Sequence, residues 1–192
     1  MTSSFNGSPL PKNGAASSTT KAPEIGKTVT GNQAPAGLTA TFTSDGKLQI
    51  KTTAATPAGD HTVTVDDGKG AYKVIKVTIA KAALPSSAAF DAVSKIVASN
   101  GTDTANGKDS AALVLKIGNS AVTDAGLTLT AEPVKADDNK VTISLNGKKV
   151  NVKPATATVA DNKSAKLTVK VSGLDNYKDG VVELTVPYQI TA

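Results

Sequence analysis

Short runs of alternating apolar and polar residues, each cut off by Gly, Pro, Asp or Asn, fill this chain from about Glu24 onward. Side chains on an extended strand point to opposite faces in turn, so such runs suit sheets with one buried face. Residues 38–43 alternate, Ser44-Asp45-Gly46 turns the chain, and residues 47–52 alternate again. Pro57-Ala58-Gly59 leads into a strand over 61–65, and Asp66-Asp67-Gly68-Lys69-Gly70 leads into another over 71–80. In the latter, Ile75, Val77 and Ile79 share the face expected to meet the core. Further strands are expected near 90–98, 111–117, 126–132, 140–145, 148–152, 165–172 and 180–190. Leu145-Asn146-Gly147-Lys148 reads as a type I′ hairpin, because Asn-Gly supplies two residues that accept positive φ. The Ala content of 87–99 suits a helix, but Val93, Ile96 and Val97 favour a strand. The expected class is all-β.

The filling for these sheets is almost entirely aliphatic. The chain has no Cys and no Trp, one Met, and three each of Phe and Tyr. Neither disulfides nor thiolate metal sites can staple it. Phe42, Phe90, Tyr72, Tyr177 and Tyr188 are the few large fillers available, which predicts modest stability per domain or support from an assembly. At 192 residues there is room for two small domains or one large sandwich. Residues 81–85 read as a junction, giving a small β-sandwich over 24–82 and a larger one over 83–192. Residues 1–23, dominated by Ser, Thr, Asn, Gly, Ala, Pro and Lys, bury too little apolar area to offset the entropy of ordering. They are expected to form an extended polar arm. No apolar run approaches the ~20 residues that span a bilayer. The first residues lack the charged and apolar regions of a secretory signal, so the expectation is a product made in the cytoplasm, without membrane insertion.

All 21 basic residues are Lys, and the net charge is +5. Lys cannot replace Arg in bidentate reading of guanine edges, and aromatic platforms for single strands are scarce. Specific nucleic-acid binding is therefore not expected; contact with an acidic surface is. Residues 1–23, 24–82 and 83–192 carry +2, +2 and +1, and only the first segment has no acidic residue. Phe5, Lys12 and Lys21 in that arm are the expected partner-binding residues.

No pattern in the chain points to catalysis. His61 is the only imidazole, and Asp60, its neighbour, points to the opposite face of a strand. A Ser-His-Asp arrangement needs more than that pair. The expected role of the ring is structural, at a tyrosine-corner-like position with an N–H bonded to nearby backbone. Asp103, Asn106 and Asp109 cluster in one loop, as do Asp66-Asp67 and Asp137-Asp138-Asn139, but none has calcium-loop spacing. Asp and Asn in β-turns ordinarily bond their own backbone. Glu is limited to Glu24, Glu132 and Glu183, a small pool for paired-carboxylate chemistry. Phosphate-cradling glycine motifs are absent from the sequence, and Lys148-Lys149 reads as charge protecting a strand edge. The expectation is a non-enzyme with no cofactor and no catalytic or metal-binding residues.

The residues Pro35-Ala36-Gly37-Leu38, Gly46-Lys47-Leu48, Thr56-Pro57-Ala58-Gly59-Asp60-His61-Thr62-Val63-Thr64-Val65, Asp67-Gly68 and the strand through Ile75 to Ile79 resemble the immunoglobulin-like modules of bacterial surface and phage proteins. His61 stands where those modules usually place Tyr. The second unit is similar to the invasin/intimin-type immunoglobulin-like domains through Ala105-Asn106-Gly107-Lys108-Asp109-Ser110-Ala111, Leu113-Val114-Leu115-Lys116-Ile117 and Ala125-Gly126-Leu127-Thr128-Leu129-Thr130. Residues 135–159, with their extra hairpin, have no counterpart there. The resemblance implies two tandem immunoglobulin-like β-sandwich domains behind the polar arm. It further implies a phage capsid decoration protein on the virion surface, docked on the major capsid protein or another virion protein. Bacterial surface glycans are the second partner it implies, through weak adhesion. The alternative it implies is a fragment of a bacterial cell-surface adhesin or fibre.

Overall fold

The computed structural model describes residues 28–29, 36–42, 48–53, 55–66 and 71–192. Phe5, Lys12, Lys21, the rest of the expected arm, Glu24, the Ser44-Asp45-Gly46 turn and Asp67-Gly68 lie outside these residues. Every regular element among the described residues is a strand. The chain divides into two compact units, Met1–Ala82 and Ala83–Ala192.

In the first unit, β1 (Thr28–Val29), β2 (Thr39–Phe42) and β3 (Leu48–Lys51) form one antiparallel sheet in that order. β4 (Gly59–Asp66) and β5 (Ala71–Ile79) form a long hairpin in which His61 faces Val77. Val77 and Ile79 are buried while Lys76, Thr78 and Ala80 are exposed, the alternation expected of a strand with one core face. Between β3 and β4 the chain folds on itself. The Thr53 amide donates to the Gly37 carbonyl at 3.1 Å, and the Thr56 amide donates to the Thr53 carbonyl at 3.0 Å.

The second unit runs β6 (Ala88–Phe90), β7 (Ile96–Ser99), β8 (Lys108–Ala112), β9 (Leu115–Ile117), β10 (Ser120–Ala121), β11 (Thr128–Thr130), β12 (Val134–Ala136), β13 (Val141–Asn146), β14 (Lys149–Pro154), β15 (Ala160–Ser172) and β16 (Gly180–Thr191). One sheet has the order β11-β15-β16-β7, another β12-β13-β14-β8, and a small third β10-β9-β6. The two larger sheets share one core. Leu167, Val169 and Val171 of β15, with Val182, Leu184, Val186, Tyr188 and Ile190 of β16, supply one side. Val141 and Ile143 of β13, with Val150 and Val152 of β14, supply the other. The result is a β-sandwich-like, all-β unit.

Three features of this unit depart from the alternation pattern. Residues 90–98 are not one strand: β6 and β7 are separate and join different sheets, and β7 pairs in parallel with β16. Residues 111–117 likewise split, because buried Leu113 marks the point where the chain leaves β14 for β6; its amide donates to the Lys148 carbonyl at 2.6 Å. β15 starts at Ala160, five residues ahead of the expected strand, through the polar run Asp161-Asn162-Lys163-Ser164. A register irregularity between Ala160 and Lys163, with Asn162 at φ +43°, accommodates one extra residue on β15 as a bulge.

The expected type I′ turn at Asn146-Gly147 is not what forms. Asn146 pairs with Lys149, so the two loop residues are Gly147 and Lys148, and only Gly147 has positive φ, at +59°. Glycine at the first loop position with a negative φ after it is the type II′ pattern. The hydrophobic register decides between the two. The observed hairpin sets Leu145 against Val150, Ile143 against Val152 and Val141 against Pro154. A turn centred one residue earlier would place Leu145 opposite Lys148.

Gly126 and Gly173 lock the ends of β11 and β15 together. Gly173 has φ +74°, and a Cβ there would fall on the Gly126 carbonyl oxygen; a Cβ on Gly126 would stand 2.9 Å from the Gly173 carbonyl oxygen. By contrast Gly118, at φ +60°, has open space around it. Gly173→Ala should therefore cost roughly 3 kcal/mol, combining backbone strain with a backbone clash, and Gly118→Ala about 1 kcal/mol from φ alone. Denaturant melts of the two variants will show the difference; equal losses would mean the close approach is not rigid.

Candidate binding surface

The Nε2 of His61 donates to the Pro57 carbonyl at 2.9 Å, four residues upstream, with the ring half-buried. Asp60 sits on the other face, where its Oδ1 accepts from the Thr78 hydroxyl at 2.7 Å. The pair is thus split by the pleat, and the imidazole ties strand to turn. His61→Tyr should leave the melting midpoint nearly unchanged, whereas His61→Ala should cost about 1 kcal/mol of unfolding free energy by deleting that bond. A His61→Tyr variant that fails to fold would exclude the corner role.

Asp103 and Asp137, singled out in the sequence, and Asp124, which was not, are drawn into the framework. Asp103 Oδ2 accepts the Ser99 amide at 2.8 Å, and the Asp103 amide donates to the Ser99 carbonyl at 3.0 Å. Asp124 Oδ2 accepts the Asp175 amide at 2.8 Å. Asp137, Asp138 and Asn139 all have positive φ (+46°, +53° and +67°), and the Lys140 amide closes the turn on the Asp137 carbonyl at 3.0 Å. Among the described residues, no group of His, Cys, Asp and Glu is placed to hold a metal ion.

That turn also serves the core. Tyr188, 1 % exposed, donates its hydroxyl to Asp137 Oδ2 at 3.1 Å, and Lys163 Nζ lies 4.0 Å from Asp137 Oδ1. Burial, and then the hydrogen bond to Asp137 and its negative charge, push the phenol up to about 12. Because the folded value exceeds the unfolded one near 10, the neutral phenol contributes stability that is complete below about pH 10 and is lost as pH rises toward 12. A tyrosinate absorbance titration should resolve a late step near pH 12 that vanishes in Tyr188→Phe. Persistence of the step in that variant would overturn the assignment.

The outer face of the β12-β13-β14-β8 sheet concentrates polar groups, of which the sequence singles out Lys149 and Asp109 in other roles; Lys149 lies on β14, inside the sheet and not at its edge. Val134, Ala136, Val141, Ile143, Leu145, Val150, Val152 and Pro154 turn inward, so Lys135, Thr142, Ser144, Asn146, Lys149, Asn151 and Lys153 turn outward. Across the strands they form rows: Lys135–Thr142–Lys153, then Ser144–Asn151–Asp109, then Asn146–Lys149–Ala112. Lys135 Nζ donates to the Thr142 hydroxyl at 2.7 Å. Asn151, nearly buried, donates from Nδ2 to Asp109 Oδ1 at 2.7 Å and to the Asn106 carbonyl at 3.0 Å. The Asn146 amide takes the other Asp109 oxygen at 3.0 Å. Gly107, at φ +73°, makes room for this clamp, since a Cβ there would collide with the Asn151 amide. The signal available in sequence was the outward parity of these lysines, which is legible once the hairpin register is known.

A groove of about 270 Å³ lies between residues 91–97 and 108–114, and the half-exposed side chains of Val97 and Val114 border it. No helix of the described residues is long and apolar enough to cross a membrane. The chain matches no protein-family model and no curated protein sequence.

Proposed function

We propose that the chain is a non-enzymatic binding and structural protein built from immunoglobulin-like modules, and that it serves as a decoration protein on a phage capsid. The observation that carries the reading is the strand order of the second unit. Immunoglobulin-like sandwiches place strands A, B, E and D in one sheet and C, F and G in the other. Taking β6 as A, β8 and β9 together as B, β13 as D and β14 as E, the pairings run A-B-E-D across the β10-β9-β6 and β12-β13-β14-β8 sheets, while β11 as C, β15 as F and β16 as G share one sheet with β7 beside G; β10 and β12 stand outside the scheme. The bond from His61 to Pro57, made back to the backbone just upstream, suits the corner position such modules fill with Tyr.

In this reading the polar segment 1–23 docks on an acidic shell through Phe5, Lys12 and Lys21, while the folded units project from it. Many copies on one particle make weak individual contacts effective. Capsids lacking the protein should capture the full-length chain and release most of that binding when residues 1–23 are deleted. Failure of both forms to bind would overturn the proposal.

A further inference from the structure

We propose that the outer face of the β12-β13-β14-β8 sheet binds a linear acidic polysaccharide, with its anionic groups against Lys135, Lys149 and Lys153 and its hydroxyls against Thr142, Ser144 and the Asn146 side chain. The first support is charge that no ion pair offsets among the described residues. The described ion pairs join Lys116 to Asp91, Lys163 to Asp137 and Lys166 to Glu183, and none involves a lysine of this face. Asp109, the carboxylate set among them, is held by the Asn146 and Asn151 amides and offsets one of the three lysine charges, so the face stays cationic. The second unit carries only +1 in all, so this basic face arises from how its charges are sorted and not from an excess.

Shape and chemistry select the class of partner. Ala112 is the lone apolar residue in the three outward rows, and a specific protein interface needs a desolvated apolar or aromatic centre. Nucleic acid suits the face poorly, because it offers neither Arg for base edges nor an aromatic ring for stacking. What it does offer is a flat lattice of ammonium groups interleaved with hydroxyl and amide groups, the complement of a hydrated polymer that alternates anions with hydroxyls. Lys135 and Lys153 are two strand spacings apart, roughly 10 Å, and Lys149 and Lys153 are about 13 Å apart along one strand. Successive acidic sugars of an alternating glycan can meet such a grid. The lysines also stay in water, so binding is weak per copy, sensitive to salt, and strengthened by repetition of sites.

The proposal deepens the display reading by naming what the projecting unit would hold, yet its test needs no capsid. The full chain is titrated against immobilised polygalacturonate and heparin, with dextran and duplex DNA as comparators, at low and high salt. Wild type should bind the two acidic glycans at low salt, release them at high salt, and ignore dextran. Lys135→Gln/Lys149→Gln/Lys153→Gln should lose at least roughly tenfold in affinity, because three cationic contacts to the polyanion are removed together. A charge-matched control, Lys166→Gln/Lys170→Gln/Lys178→Gln, should lose less than about twofold; the contrast tests placement against net charge. Circular dichroism and melting curves establish that both triple variants remain folded. Equal losses in the two variants, absence of glycan binding by wild type, or tighter binding to DNA than to either glycan would overturn the proposal. The face variant keeps residues 1–23 intact, so its capture by capsids is unaffected and the two readings fail separately.

Discussion

Burial of the inner faces of β15 and β16 against β13 and β14 governs the larger unit, and that interface is made almost wholly of branched aliphatic chains. Val and Leu on pleated strands interlock without polar atoms to satisfy, so long runs of both strands can be fully enclosed. Tyr188 is the exception, since its ring is enclosed like its neighbours but its hydroxyl must find a partner. Asp137 supplies that partner from a turn in which three successive non-glycine residues are left-handed. Each such residue costs on the order of 1–2 kcal/mol, which burial of the surrounding strands must offset. One enclosed phenol thereby sets the geometry of the β12-β13 connection.

The same economy shapes the surface. Carboxylates at Asp103, Asp109, Asp124 and Asp137 are engaged in accepting backbone amides, side-chain amides or the Tyr188 hydroxyl. Asp103 is instructive, because by binding Ser99 it covers part of the free edge of β7 with an acceptor, blunting a strand that carries no charge of its own. Lysines divide differently: Lys116, Lys163 and Lys166 pair with carboxylates, whereas Lys135, Lys149 and Lys153 are exposed and outside the described ion pairs. The division leaves a nearly neutral unit with one face markedly cationic.

Much of the architecture could be read from alternation. Val77 and Ile79 are buried as their parity requires, and the strands through 141–146, 149–154 and 180–191 fall close to where the pattern puts them. Reading failed where the decisive physics is non-local. β12 is a three-residue strand with the single outward lysine Lys135, too short to show a period, and it exists because β13 needs a neighbour. The polar start of β15 looks like a loop until β16 pairs with it. At Gly147 local turn preference and core pairing disagreed, and pairing won. The cationic face was illegible for the same reason: Lys135, Lys149 and Lys153 come together only through a register that no local motif encodes.

The placement of β16 has a consequence for how the unit is made. It is the latest of the strands in chain order, yet it lies inside its sheet, between β15 and β7. Ile96 must wait for Tyr188 before it gains its sheet partner, a closure over most of the unit's length. A ribosome emitting the chain therefore releases every other strand of the unit first, and the core faces that β16 covers stand open to water until that strand threads into the gap. Folding of this unit is in effect a single late event, and the exposed aliphatic faces in that interval are the stage at which crowding or a chaperone has the most influence.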